Sequence, residues 1–252
     1  MSNRLRARHT STRLFKRLKE PLPYERHFFY KYRTVERFDW LEEILLGDTL
    51  YFPTAAQLHD LDPKEARPLL DAPSRRTLIK RLVKLNRREG VTASPFEIAT
   101  ELGRRTKDEL LRDMTIRFHR HTEQFRIYSV GSNLNCEHLW KEYAGNHTGY
   151  CLEFQNDLSS WKAYHVRYED VVIDVSRPVD SNFFFYKNKQ WSKEEEIRLF
   201  DMRDSACSRI FHPILLKRVI LGRKLQPSDA AKIREMVGRR KLQLSVASED
   251  DL

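Results

Sequence analysis

Residues 139–154 read LWKEYAGNHTGYCLEF and residues 191–200 read WSKEEEIRLF, and these two stretches decide how the chain is expected to fold. Each carries a loop or turn into an apolar strand and places aromatic and charged side chains at the junction. Binding sites are often built at such junctions, because the strand is rigid and the loop is free to carry chemistry. The second stretch also sets Glu194 and Glu196 two residues apart at the start of its strand.

Around these stretches the chain alternates between short strand-like runs and amphipathic helical patterns. Strands are predicted at 27–33, 49–52, 125–130, 149–154, 164–168, 171–175, 197–200 and 215–221. Helices are predicted at 35–47 with Gly47 as the C-cap, at 136–144, and from Ser228 to about 240. Further helical patterns lie at 74–89, from the capping box of Ser94 and Glu97, and at 106–121. The sequence therefore predicts a mostly β core with a helical insertion at about 66–122.

The 252 residues are enough for one large domain or two small ones. We expect a single α+β domain over residues 24–242. Residues 1–23 are predicted to form a basic N-terminal arm, since seven lysines and arginines and no acidic residue precede position 20. Residues 243–252 are predicted to be a frayed acidic tail.

A formal net charge of +10 favours an anionic partner, such as nucleic acid, a nucleotide or a phospholipid surface. The N-terminal arm, one face of the 74–89 helix and the last helix are all basic. That helix could lie along a phosphate backbone. The equally open alternative is a helix whose apolar face packs and whose basic face is solvated.

Several functional classes find no support in the sequence. Eight glycines form neither of the common phosphate-binding loop patterns. Cys136, Cys151 and Cys207 are odd in number and widely spaced, which suits a reducing cytoplasm rather than a disulfide framework or a zinc site. No signal peptide is expected, and no run approaches the ~18 apolar residues that would span a membrane. No metal site is expected, because no carboxylate or cysteine completes a ligand set around His119 and His121.

The order and spacing of six sequence blocks resemble the bacterial domain of unknown function 2971 family over about residues 28–238. The blocks that carry the resemblance are Tyr30–Arg33, Leu50–Phe52, the strand holding Ser129, the run of Trp140, Tyr143, Ala144 and Gly149, the run of Trp191, Glu194, Glu196 and Arg198, and Val219–Gly222. The layout is in turn similar to that of ADP-ribosyltransferases, which cleave NAD within a split, mostly antiparallel β core. The resemblance thus implies an α+β fold of that kind and NAD as a substrate.

The likeness to ADP-ribosyltransferases also implies roles for individual residues. Arg33 on the first strand would grip the dinucleotide, Ser129 or Tyr143 would support its nicotinamide end, and Glu196 would drive transfer. The complete expected set has Glu196, Glu194 and Tyr143 as catalytic residues and Arg33, Tyr32, Ser129, Trp140 and Arg198 as NAD-binding residues.

The chemistry of these side chains fits those roles, and each has a structural alternative. A carboxylate at Glu196 could stabilise the positive charge that develops on the ribose, and Glu194 could orient or deprotonate an acceptor. The alternative is that residues 193–196 form a solvated loop. Arg33 could bind a phosphate through two hydrogen bonds, or it could form a structural salt bridge. Arg198 could bind phosphate or pair with Glu196.

Trp140 and Tyr143 are three residues apart, so on a helix they would share a face. They could stack on a base or on the nicotinamide ring, although Trp140 could equally be a core anchor. Gly149 would let the loop turn sharply into its strand.

Two functions from different classes follow. The first is an ADP-ribosyltransferase-like enzyme, a transferase or NAD glycohydrolase, that acts on nucleic acid or protein in a toxin or phage-defence setting. The second is a non-catalytic module that binds nucleic acid or a nucleotide through its basic faces. Neither predicts an oligomeric state.

Overall fold

A computed structural model describes residues 21–54, 57–58, 74–157, 161–169, 181–201 and 206–251. The predicted arm up to residue 20, the start of the helical insertion and the predicted strand at 171–175 lie outside the described residues.

The described residues form an α+β protein. Its strands are β1 (Leu22–Pro23), β2 (Phe28–Arg33), β3 (Thr49–Tyr51), β4 (Arg126–Gly131), β5 (Tyr150–Gln155), β6 (Lys162–His165), β7 (Arg167–Tyr168), β8 (Tyr186–Lys187), β9 (Glu196–Asp201), β10 (Ser208–Ile210), β11 (Leu216–Leu221) and β12 (Ser245–Ser248). Its α-helices are α1 (Phe38–Gly47), α2 (Arg75–Arg88), α3 (Pro95–Leu102), α4 (Lys107–Thr122), α5 (Glu137–Glu142) and α6 (Pro227–Gly238).

Eight strands build one large sheet in the order β1-β6-β9-β4-β2-β5-β11-β12. Every neighbouring pair in it is antiparallel except β11 and β12. Two small ladders, β10-β3 and β7-β8, stand beside it. The predicted α+β class with a mostly antiparallel sheet is therefore confirmed.

The large sheet is weakly joined at its middle. β2 and β4 share the single registered pair Tyr30 and Gly131, whereas β2 has six registered pairs with β5 and β4 has six with β9. A Cβ on Gly131 would lie 2.5 Å from the end of the Leu139 side chain, which would have to move to make room for it. The two halves of the sheet therefore diverge beyond this pair, and a gap opens between β2 and β4.

The two faces of the sheet are packed differently, because successive strand residues point to opposite sides. One face carries the main core, with Phe29, Tyr128, Leu152 and Val219 packed against α1 and α6. The other face has a smaller apolar cluster, which includes Tyr32 and Trp140. Buried charged residues share this second face, because Glu196 and Arg198 alternate with the apolar Ile197 and Leu199 along β9.

Helices α2, α3 and α4 pack around a core of their own, which includes Leu78, Leu82, Ile98 and Leu110. Ser74 caps α2 by accepting a hydrogen bond from the Thr77 amide. The capping box predicted at Ser94 is present at the start of α3. The described part of the predicted insertion is thus helical.

Three features at element ends differ from the sequence predictions. Gly47 is the last residue of α1, and the left-handed cap is Asp48 with a φ of 47°. The last helix begins after Gln226 rather than at Ser228. Gly149 has no left-handed backbone; it is needed because a Cβ there would overlap the carbonyl oxygen of Arg33.

Both predicted domain ends also need correction. Leu22–Pro23, placed in the N-terminal arm, pairs with β6. Ser245–Ser248, placed in a frayed tail, forms a parallel edge strand against β11. Glu249 then accepts a hydrogen bond from the Arg223 amide and contacts His147, so the acidic end of the chain is held by specific partners.

Candidate functional site

A cavity of about 760 Å³ lies where β2 and β4 diverge. Its walls include residues from both faces of the sheet: Trp40 and Tyr51 belong to one side, and Tyr143 and Glu194 belong to the other. Ligand pockets typically measure ~300–1,000 Å³, so the gap has the size of a small-molecule or nucleotide site.

Glu194 and Glu196 come together at this cavity although only the second lies on a strand. Glu194 ends a 3-10 helix over Lys189–Glu194, Glu195 adopts a left-handed conformation with a φ of 45°, and Glu196 begins β9. The turn at Glu195 brings both carboxylates to the Lys187 ammonium, at 2.6 Å from Glu194 and 3.1 Å from Glu196. Both are buried, so the alternative of a solvated loop at 193–196 does not hold for them.

Lys187 is the principal residue that the sequence analysis missed. It lies on β8, is 3% exposed, and its ammonium also stands 5.1 Å from the centre of the Trp191 ring. Nothing around position 187 sets it apart from the other lysines, since it follows an aromatic run and its short strand belongs to a separate two-stranded ladder. Only the folded chain reveals that it bridges the two carboxylates.

Glu196 is held as an anion. Arg198 donates to it from Nε at 2.7 Å and from Nη2 at 3.3 Å, so Arg198 is the ion-pair partner that the sequence analysis had considered. Burial raises the pKa of the Glu196 carboxyl, but Arg198 and Lys187 outweigh burial and lower the pKa to about 2. Arg198 does not line the cavity and acts on it through Glu196.

Glu194 has the opposite electrostatic balance. Burial raises the pKa of its carboxyl, and the nearby Lys187 only partly offsets that effect. The Tyr143 hydroxyl donates to Glu194 at 2.7 Å, so Tyr143 orients the carboxylate. Burial also raises the pKa of the Tyr143 phenol, which keeps it a hydrogen-bond donor at neutral pH. A carboxyl with a raised pKa, aimed by a donor, is suited to proton transfer.

Three buried polar atoms in the cavity wall have no hydrogen-bond partner among the described residues: Tyr128 Oη, Ser129 Oγ and Trp191 Nε1. The Ser129 hydroxyl lies close enough to Glu196 to lower the pKa of that carboxyl, yet it makes no hydrogen bond of normal geometry. Buried polar groups are normally paired, so each of these atoms is open to a ligand or to water.

Arg33 lies on the same cavity wall as Trp40. Its guanidinium stands 5.0 Å from the centre of the Trp40 ring, and within the described chain it has no carboxylate partner. The structural salt bridge considered for Arg33 is therefore absent from the described residues. Lys31 crosses the gap and donates to the Ser129 carbonyl oxygen at 2.5 Å. The β2 side of the cavity is thus cationic.

The two remaining predicted residues belong mainly to the core. Trp140 is 2% exposed, donates its indole N–H to the Leu134 carbonyl, and does not line the cavity. It is the core anchor that the sequence analysis had considered, and it does not share a ligand-facing side with Tyr143. Tyr32 lines the cavity, but its hydroxyl is engaged with the carbonyl oxygens of Asn133 and Leu134.

One group with possible metal-ligand spacing occurs among the described residues: Glu137, His147 and Glu249 have donor atoms within 4.8 Å of one another. The His147 Nδ1 lies 2.8 Å from Glu249, and the Arg223 guanidinium lies 3.1 Å from Nε2. Because a guanidinium already occupies this position, the group forms a hydrogen-bonded network that fastens the end of the chain to the loop before β5.

Searches for related proteins found no match: no family model, no curated protein and no solved structure matches this chain. Among the described residues, no helix has the length and apolar character needed to cross a membrane.

Proposed function

We propose that the chain is an NAD-cleaving enzyme with an ADP-ribosyltransferase-like split β core, and that the gap between β2 and β4 is its active site. The proposal agrees with the resemblance to the domain of unknown function 2971 family. The observation that carries it is the convergence of Glu194 and Glu196, both buried, at one end of a cavity whose β2 wall holds Arg33.

The cavity offers complementary chemistry to the parts of NAD. Arg33 has the planar donor set that binds phosphate oxygens in pairs. The Trp191 indole N–H, which has no partner among the described residues, and the Ser129 hydroxyl beside Glu196 could bind the amide of the nicotinamide ring. Exposed Tyr51 and Trp40 offer aromatic surfaces on the β2 side for the adenine end.

Glu196 would stabilise the ribose as the bond to nicotinamide breaks. A carboxylate has about four acceptor sites, and Arg198 and Lys187 occupy three of those on Glu196. The remaining site can accept a ribose hydroxyl, and its negative charge favours the cationic character that develops at C1′. Arg198 and Lys187 act as positioning residues that keep the carboxylate ionised and fixed.

The proposed step is a balanced group transfer. The bond between ribose C1′ and the nicotinamide nitrogen breaks, and its electron pair leaves with nicotinamide. A nucleophilic atom of the acceptor forms a new bond to C1′, and its proton passes to Glu194. The acceptor is water in a glycohydrolase and a group on nucleic acid or protein in a transferase. No oxidation or reduction takes place. The three free cysteines fit a reducing compartment such as the cytoplasm.

Nicotinamide release from NAD tests the proposal, with RNA, DNA and cell proteins offered as acceptors. Glu196→Gln and Glu194→Gln should each lower the rate at least about a hundred-fold, since each removes a charge or proton acceptor from the reaction. Tyr143→Phe should lower it less, because Tyr143 acts through Glu194.

The matched control is Glu153→Gln. Glu153 is another buried carboxylate of the same sheet, paired with Arg218 at 2.7 Å, and it does not line the cavity. It should retain activity at a similar cost in stability. Absence of nicotinamide release by folded wild-type protein with every acceptor would refute the enzymatic proposal.

A second function is favoured by the cations at the carboxylates. Because Lys187 and Arg198 already neutralise Glu194 and Glu196, the cavity could bind a nucleotide without cleaving it. A thermal shift with NAD or another nucleotide, without turnover, would indicate this binding module.

A further inference from the structure

We infer that the exposed face of α2, together with Phe96, binds single-stranded nucleic acid. The cationic part of this surface consists of Arg76, Lys80, Lys84 and Arg87 and is called the basic stripe. It belongs to the helical unit of α2, α3 and α4 and does not depend on the NAD site.

The basic stripe is a single row on one side of α2. At 3.6 residues per turn, its four cations fall within an arc of about 80° and extend over about 17 Å of the helix. Leu78 and Leu82, on the opposite side, are fully buried in the core of the unit. The four cations are all exposed, and α2 contains no acidic residue that could neutralise them.

Three other cations of the same unit are engaged internally, whereas no ion pair of the four stripe residues is seen among the described residues. Arg105 and Arg117 pair with Asp113, and Arg75 donates to the Arg105 carbonyl oxygen at 3.0 Å. Within the described chain, no carboxylate pairs with any of the four stripe residues. Their charge therefore remains available to a partner.

The helical unit is strongly positive. Residues 74–122 are about a fifth of the chain and contain thirteen lysines and arginines against six aspartates and glutamates, which leaves +7 of the total of +10. A row of unpaired cations within a strongly positive region attracts a polyanion and releases its counterions on binding.

An exposed aromatic side chain, Phe96, lies on the helix that packs next to α2. Arg75, at the start of α2, donates to the carbonyl oxygens of Gly103 and Arg105, which follow α3. The two helices are thus antiparallel, and Phe96, at the start of α3, lies towards the Arg87 end of α2. Phe96 is 80% exposed. Cations that follow a backbone beside an aromatic ring that stacks on a base are typical of single-strand binding.

The packing of α2 favours nucleic acid over a membrane surface. A helix that binds a bilayer inserts its apolar face into the lipid. The apolar face of α2 is already buried against its neighbours, so only the cationic face is offered.

Fluorescence anisotropy of labelled single-stranded RNA, single-stranded DNA and duplex DNA tests this inference with the full chain. We compare wild type with a variant in which Arg76, Lys80, Lys84 and Arg87 are replaced by Gln. The matched control replaces Arg26, Lys162, Arg234 and Lys241 by Gln, four exposed cations outside the helical unit. Both variants lose the same formal charge, so a difference between them reports where the cations lie rather than the net charge of the protein.

The stripe variant should bind single strands at least about tenfold more weakly at physiological salt, while the control stays close to wild type. The slope of log affinity against log salt should become shallower by about three in the stripe variant, since about 0.7 counterions are released per phosphate contact on a single strand. Phe96→Ala should weaken single-strand binding at least about fivefold and leave duplex binding unchanged.

Equal losses in the stripe variant and the control would overturn the inference, because binding would then follow net charge alone. No binding by wild type, or tighter binding to phosphatidylserine vesicles than to any nucleic acid, would also overturn it. If Phe96→Ala leaves single-strand binding unchanged, the proposal that this surface prefers single-stranded nucleic acid is overturned.

Discussion

Glu196 shows how this site can hold a charge in a buried position. Two cations pair with its carboxylate, and the residue lines the cavity. Breaking a buried ion pair by removing one partner costs ~3–5 kcal/mol, because the other charge is left uncompensated. Stability and the proposed catalysis are therefore coupled at this residue, and variants of it need folding controls.

The titration of Glu196 should appear in the pH dependence of stability. Its pKa is lowered from 4.5 to about 2 in the folded chain, so its ionised form stabilises the fold above pH 4.5, and that stabilisation is lost as the pH falls through about 2. Urea unfolding should show wild type more stable than Glu196→Gln at pH 7. The difference should shrink steadily below pH 4.5. A difference that stays constant down to pH 2 would contradict this assignment.

The roles expected for Arg33 and Glu196 came from the resemblance to ADP-ribosyltransferases, and Glu194 was added because it lies two residues before Glu196; all three line one cavity. Lys187 could not be predicted, because its role depends on a contact between separate ladders rather than on a local pattern. Trp140 and Arg198 were also predicted to bind NAD, but neither lines the cavity. The spacing of residues along a helix or a strand indicates only which side chains share a face. Spacing does not indicate whether that face meets a cavity or the core.

At the scale of elements, the start of β5 depends on the close approach of Gly149 to the backbone of Arg33. Gly149→Ala should destabilise the protein by at least ~1–3 kcal/mol, because its Cβ would overlap the Arg33 carbonyl oxygen and push β2 away from β5. Urea unfolding measures the change.

Gly238→Ala is the matched control for this substitution. Gly238 ends α6 with nothing within 4 Å of an added Cβ, so alanine should be neutral or stabilising by up to ~1 kcal/mol. Equal effects of the two substitutions would contradict the role given to the close contact.

The end of the chain is a second element that can be tested. Deletion of residues 244–252 removes β12, the buried Leu244 and the Glu249 contact with His147. We expect the thermal midpoint to fall by at least about 5 °C, since a loss of 1 kcal/mol lowers it by ~2–4 °C in a chain of this size. Asp250→Asn, a change of charge at an exposed position, should have little effect. An unchanged thermal midpoint after the deletion would contradict a stabilising role for these contacts and would support the predicted frayed tail.

At the scale of the whole molecule, the predictable part of the fold came from hydrophobic periodicity. Strands such as β5 and helices such as α2 have clear apolar patterns, and they were placed within one or two residues. The edge strand β12, with the sequence SVAS, has too little apolar character to be recognised, and its pairing with β11 depends on tertiary context. The gap between β2 and β4 depends on how the two strands pair, and the sequence of neither strand indicates it.

The central claim is that NAD binds in the gap between the two halves of the sheet. Isothermal titration of NAD into Glu194→Gln, in which turnover is slowed, tests it most directly. Arg33→Gln is then added to that background. Arg37→Gln is the control, because Arg37 stands 4.1 Å from the same Trp40 ring but does not line the cavity.

Our account predicts saturable binding to Glu194→Gln. Addition of Arg33→Gln should weaken that binding at least about tenfold through loss of a charged pair of hydrogen bonds to phosphate, and addition of Arg37→Gln should leave it unchanged. No saturable binding, or equal affinities with and without the Arg33 guanidinium, would contradict the placement of NAD in this gap.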